Sequence, residues 1–267
     1  MLGLSSKIAH NMKTNKNHNY DFPVEMTPIS AGGIDIPDRF AIIRQDTKTP
    51  LGVVSDKYSI ITHSDVIKGM RDALDSRKFD ESVELTKDGA QLFATYTLRD
   101  MEEEVAKNDV VGMQLTVKNS YDGSSPVQMS LGALRLVCEN GMTLSKSFMN
   151  FTQRHIGEVN KPEIHEMREK ISLYTSQFGD LVPTMNEMTK TQIKPDKKLF
   201  DKKETRFPSY LLNVAEHEFK GKKDETVWGY YNSLTYAITH KMRKDSPHSR
   251  SYLTDRAWTL ASNKLSV

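Results

Sequence analysis

Hydrophobic and polar residues alternate most cleanly between Val110 and Leu144. Met113, Leu115 and Val117 fall on one side of the alternation, and Gln114, Thr116 and Lys118 on the other. A period of two predicts a strand with two unlike faces. Asn119 to Pro126 then supplies Asn, Asp, Gly, Ser and Pro, residues that accept left-handed backbone or cap a turn with their side chains. A second strand is predicted from Val127 to about Cys138, with Gly132 as a bulge or close-approach point, ended by Glu139, Asn140 and Gly141. Together these make a long hairpin with a polar tip.

Upstream, residues 1–20 are polar and rich in Asn and Lys, which predicts a mobile arm. Phe22 to Pro37 carries three prolines and Gly32-Gly33, which predicts an extended, irregular lead-in. Arg39 to Arg44 and Leu51 to Val54 read as a strand pair around a turn at Asp46 to Pro50. Val66, Ile67, Met70, Ala73 and Leu74 recur at helical spacing behind Ser64 at the N-cap, predicting a helix over Ser64 to Ser76. Val83 to Leu85 and Leu92 to Leu98 form another hairpin around an Asp-Gly turn. Within it Phe93, Thr95 and Thr97 share one face, and Leu92, Ala94, Tyr96 and Leu98 the other. Asp100 to Glu104 reads as an acidic loop.

After Met142 the period lengthens. Ile164, Met167, Ile171, Tyr174, Phe178 and Leu181 form one seam of a long helix. Pro162 lies near its start, and Pro183 is expected to kink or end it. Residues 190–206 hold six lysines and Arg206 without a clean period, the pattern of an exposed basic linker. Helices are predicted over Phe207 to Phe219, Thr226 to Lys244 and Tyr252 to Leu260. The fold class is α+β: a twisted, mainly antiparallel sheet of about five or six strands built of hairpins, packed against a long helix, with a helical C-terminal region. The expected organisation is an N-terminal arm over 1–38, an α+β core over 39–189, the basic linker over 190–206 and the helical region over 207–267.

Composition narrows the classes. Hydrophobic content of 37% and charge of 27% are ordinary for a folded domain, and no apolar run approaches the roughly 18 residues of a membrane span. The apolar part of the amino terminus is too short for a secretory signal. A single cysteine, Cys138, leaves no internal disulfide and no Cys-rich zinc site, and the expected location is a reducing host cytoplasm. The net charge of +2 conceals an asymmetry: residues 1–189 carry 21 Lys/Arg and 26 Asp/Glu, whereas residues 190–250 carry 14 and 8. A basic segment beside an acidic body attracts phosphate backbones, although a solvated lysine-rich face has the same composition.

Motifs for nucleotide cradles, HExxH metal sites, GxSxG elbows and kinases are absent. The eight histidines are scattered, Cys138 ends a hydrophobic strand, and Glu102 to Glu104 reads as a surface loop. The sequence therefore predicts no enzyme, no metal and no cofactor. Residues suited to phosphate and base contacts do gather near the hairpin exits: Lys118, Asn119, Arg135, Asn140, Lys146, Arg154 and His155, with Tyr121 and Phe151 among them for stacking. The same residues also suit turns and core.

LGVVSDKYSIITHSD, KNSYDGSSPV, LRLVCENGMTL, RHIG and TVWGYYNSLTYAITH occur in this order, and in this they resemble a phage- and plasmid-borne family known as domain of unknown function 932. The resemblance runs from about Arg39 to Ala261; many relatives read Asn-Thr-Leu where this chain has Glu-Asn-Gly-Met after the cysteine. It implies a setting in mobile-element DNA metabolism. The order of long hairpin then long helix also resembles the phage single-strand annealing proteins of the RecT and Erf type, which hold single-stranded DNA in a basic groove and assemble as rings or filaments. The expected function is nucleic-acid binding, single-stranded DNA in recombination or replication, with a homo-oligomer possible and no membrane partner. The alternative is a protein-binding inhibitor of a host defence or restriction enzyme, for which the acidic body would mimic DNA.

Overall fold

The computed structural model describes residues 20–135, 140–143, 151–159, 161–194, 196–242 and 247–265. A small antiparallel sheet is built in the order β1 (Val24–Ala31), β2 (Ile34–Arg44), β3 (Thr49–Ser55). Helix α1 (His63–Leu74) leads to a larger antiparallel sheet of β4 (Phe79–Thr86), β5 (Gln91–Ala106), β6 (Asp109–Ser120) and β7 (Val127–Arg135) in sequence order. The far edge of β7 pairs with two short strands, β8 (Asn140–Thr143) and β9 (Phe151–Gln153). Among the described residues five α-helices follow: α2 (Ile164–Lys190), the single turn α3 (Lys202–Thr205), α4 (Ser209–Lys222), α5 (Val227–Lys241) and α6 (Pro247–Ser262). The molecule is α+β, as the alternation predicts.

One face of the large sheet carries the core. Leu92, Ala94, Tyr96 and Leu98 on β5, Met113, Leu115 and Val117 on β6, and Met129, Leu131 and Ala133 on β7 are fully buried. Met167, Ile171, Tyr174, Phe178, Leu181, Met185 and Met188 of α2 join the same core at alternating steps of four and three. The Tyr174 hydroxyl donates to the Met129 carbonyl (3.3 Å) and accepts from the Phe151 amide (3.1 Å), which sets α2 against β7 and β9.

Several local expectations need correction. Phe22 to Pro37 is mostly strand: Gly32 and Gly33, both at positive φ, turn β1 into β2, a conformation glycine takes without steric cost. Asp100 to Glu104 is the outer half of β5. After an irregularity, Glu102 to Glu104 pair with Val110 to Gly112 of β6, where their side chains meet solvent. Pro183 does not end α2. It forgoes the bond to the Gly179 carbonyl, a cost of about 3 kcal/mol, while burial of Leu181, Met185 and Met188 around it contributes roughly 1.5–3 kcal/mol each. Helix α1 is capped by the Thr62 hydroxyl, which accepts from Asp65 N–H (3.0 Å), rather than by Ser64. Within residues 190–206, Leu199 and Thr205 are buried, and Ile193 N–H donates to the Glu225 carbonyl (2.7 Å). The expectations for residues 1–19, Cys138 and Lys146 fall outside the described residues.

Two glycines make opposite predictions about stability. At Gly229 a β-carbon would lie 2.1 Å from the Asp224 carbonyl oxygen, beside the Thr226 cap of α5; at Gly179 it would meet nothing within 4 Å. Gly229→Ala is expected to destabilise by about 2 kcal/mol or more through that overlap, and Gly179→Ala to stabilise by about 0.5–1 kcal/mol through helix propensity. Denaturant unfolding of the two variants checks both signs.

Candidate functional site

The second face of the large sheet is polar and yet barely exposed. Cross-strand partners share a face, and the register builds two rows and part of a third. Glu84, Phe93, Lys118, Gln128 and Thr152 run across β4 to β7 and β9. Ser82, Thr95, Thr116 and Ser130 form the next row, and Asp80, Thr97 and Gln114 the third. Phe93, Thr97, Gln114, Thr116, Lys118 and Ser130 are all buried. Gln114 donates to the Thr97 hydroxyl (3.1 Å). At the β4 edge the carboxylates are matched: Glu84 by Arg250 of α6 (3.6 Å), Asp80 by Arg99.

Lys118 is the exception. Its side chain is 8% exposed, its ammonium lies 5.7 Å from the Phe93 ring centre, and no carboxylate among the described residues pairs with it. Burial alone lowers its pKa, because the charged form loses hydration without gaining an anion. A buried ammonium without an anion is costly, and the neutral amine is correspondingly favoured.

The other predicted residues divide. Asn119, Tyr121 and His155 come together, but inside the protein. His63, at the start of α1, hydrogen-bonds the Gly89 carbonyl through Nε2 (2.9 Å) and accepts from Asn119 Nδ2 through Nδ1 (2.9 Å). A carbonyl only accepts, so the proton sits on Nε2. The His63 ring stacks on Tyr121 at 4.0 Å, Phe22 meets both edge-on, and the Tyr121 hydroxyl accepts from His63 N–H (2.8 Å). Next to them His155 donates through Nδ1 to the Ser59 carbonyl (3.0 Å) and stacks on Tyr58, whose hydroxyl donates to the Ser120 carbonyl (2.6 Å). Three of the sequence motifs therefore converge on one buried polar knot. It closes the seam between α1, the tip of the β6–β7 hairpin and the start of the 155–157 turn. Gly52 of β3 lies against that tip, where a β-carbon would come within 2.5 Å of Asp122 Cα.

Tyr121 and Phe151 are fully buried, so neither ring offers a face to a base: adjacency to basic residues in sequence did not translate into exposure. Arg154 is exposed one residue past β9. Arg135 pairs by backbone with Val111 and Asn140, and Lys146 lies outside the described residues. Sequence reasoning did not assign Phe93, Gln114 or Thr116 to the site, although their alternation was visible. Nothing in the sequence placed Arg250 beside Glu84. Among the described residues no group of His, Cys, Asp and Glu is arranged to hold a metal ion.

The knot makes stability depend on pH. Burial, with the nearby His155 adding to it, pushes His63 down to about 3, and burial also lowers His155. Below the ordinary histidine value of about 6.5 the unfolded chain takes up protons that the folded protein refuses. The stabilisation is therefore complete above pH 6.5 and is lost as pH falls toward 3, at up to about 1.4 kcal/mol per pH unit for His63. Denaturant unfolding between pH 4.5 and 7.5 should show this slope, and His63→Gln should flatten it; equal slopes would remove His63 as its source.

The family model described as "Domain of unknown function (DUF932)" matches residues 50–258, from the start of β3 into α6. No curated protein and no solved structure matches the chain, so the likeness to annealing proteins rests on element order alone. The match takes in α1, the whole of the large sheet and all but the end of the helical region, including the polar face and the buried knot. The chain belongs to this family.

Proposed function

We propose that the protein binds single-stranded nucleic acid, DNA foremost, along the polar face of the large sheet, in the DNA metabolism of a mobile element. The observation that carries this reading is Lys118, a desolvated ammonium without a carboxylate partner among the described residues, set in rows of hydroxyl and amide side chains. Neutral donors and acceptors around one cation suit a sugar–phosphate backbone, which presents acceptors at regular intervals but no fixed sequence. Arg154, exposed beside β9, extends the positive character along the same edge. Stacking by Tyr121 and Phe151 drops out, so phosphate contacts have to supply most of the affinity.

A second reading, a protein-binding inhibitor of a host defence, has one observation in its favour: the outer half of β5 presents Glu102, Glu103 and Glu104 to solvent. It has no counterpart to the Lys118 environment.

Lys118→Met replaces the ammonium with an apolar chain of similar length. The free protein is expected to become as stable or more so, since the desolvated charge is gone, while binding to different single strands weakens alike. The salt slope should fall by about 0.7 for Lys118→Met and for Arg154→Ala. Fluorescence anisotropy over a salt series, with melting temperatures on the same samples, reads both. Wild-type protein that binds no single strand at low salt, or an unchanged slope in Lys118→Met, would overturn the reading.

A further inference from the structure

Among the described residues, no strand beside Lys118 brings it a counter-charge. Its neighbours in the register are Phe93 on β5 and Gln128 on β7, and Thr152 on β9 stands beyond Gln128. On its own strand the residues two away on the same face are Thr116 and Ser120, and Ser120 is paired with Gln91. The charged groups further off are already matched. Glu84 lies two strands away on β4, roughly 10 Å at ordinary strand spacing, and pairs with Arg250 of α6 (3.6 Å). Asp122, beyond Gln91 at the hairpin tip, pairs with Lys87 (3.0 Å) and accepts from Gln91 (3.0 Å). Arg154, past β9, is itself a cation.

A buried amine in such a place meets opposite demands before and after an anion arrives. In the free protein desolvation acts on Lys118 without opposition and lowers its pKa, so the neutral form gains ground. A phosphate within about 4–6 Å of the nitrogen acts the other way, because an opposite charge favours the ammonium. The hydroxyls and amides around it do not titrate, so the proton has one place to go.

We propose that a strand bound along this row draws a proton from solution onto the Lys118 nitrogen, so that binding is regulated by pH. The proposal rests on the nucleic-acid reading above and adds to it the condition under which the site closes on its ligand. One proton moves from solvent to Nζ, and no covalent bond to the strand forms. The sign follows from linkage. At pH values below the pKa of Lys118 in the free protein, the amine is already charged and binding takes up nothing there. Between that value and the higher one in the complex, binding takes up as much as one proton. Affinity then falls as pH rises, by at most about tenfold per pH unit.

Three measurements on the full chain, over about pH 7–10 at constant salt, test it. Anisotropy with a labelled single-stranded oligodeoxyadenylate, whose bases do not titrate in this range, reads the affinity. Wild-type binding should weaken with pH more steeply than that of Lys118→Met, which has no amine, or Lys118→Arg, whose guanidinium stays charged. Calorimetry in two buffers of unlike ionisation enthalpy counts the proton, and wild type should take up more than either variant, by at most one. Denaturant unfolding without nucleic acid reads the free state. Between the lowered folded value and the ordinary lysine value of about 10.4, the unfolded chain holds more protons than the folded one. Wild-type stability should therefore rise with pH relative to Lys118→Met. If no strand binds at any pH, the nucleic-acid reading falls and this proposal with it. Binding whose pH dependence and proton uptake equal those of the variants, or stability that tracks Lys118→Met throughout, overturns the proposal alone.

Discussion

Strand β6 has to satisfy two surroundings at once. Every residue from Asp109 to Ser120 except Val110 is buried, so neither face can be left to water. Val111, Met113, Leu115 and Val117 meet the helices, while Gln114, Thr116 and Lys118 meet a polar layer in which Thr97, Phe93 and Ser130 are their neighbours. A slip of one residue would drive Lys118 into the aliphatic core and Leu115 among hydroxyls, so the register is held from both sides. Strands β5 and β7 take their alignment from it, α2 lies on the face it makes apolar, and Asn119 at its end reaches the ring of His63.

Much of this was legible because alternation is a local signal. The faces of β5 and β6, and the seam of α2, are written at fixed spacing and survive translation into structure. What was illegible depended on compensation from elsewhere. Prolines and paired glycines at 22–37 look irregular until β2 pairs with β1 around them. The glutamates at 102–104 look like a loop until β6 offers backbone partners while their side chains keep solvent. Pro183 looks like a terminus until the side chains on both sides of it find the sheet.

The candidate site divides along the same line. Lys118 was named from sequence because it stands at a hairpin exit beside Asn119; that Gln114 and Thr116 share its face was visible in the same alternation. Tyr121 and Phe151 were misplaced because an aromatic residue beside basic ones reads the same whether it stacks on a ligand or on the protein. The decision is made by His63, 58 positions before Tyr121, and by Tyr174, 23 positions after Phe151, and no short window contains either pair. His155 shows the same dependence, since its partners Tyr58 and Ser59 lie almost a hundred residues upstream.

The indole N–H of Trp228 donates to the Asp109 carboxylate at 2.8 Å, across 119 positions of sequence. This bond fastens the first residue of β6 to α5, so the strand at the heart of the sheet is anchored by a segment made well after it. As the chain leaves the ribosome, the hairpins emerge in pairing order, yet the anchor arrives only after α2 and α4 have followed. Strands made earlier thus gain this fastening only once the chain has been made as far as α5.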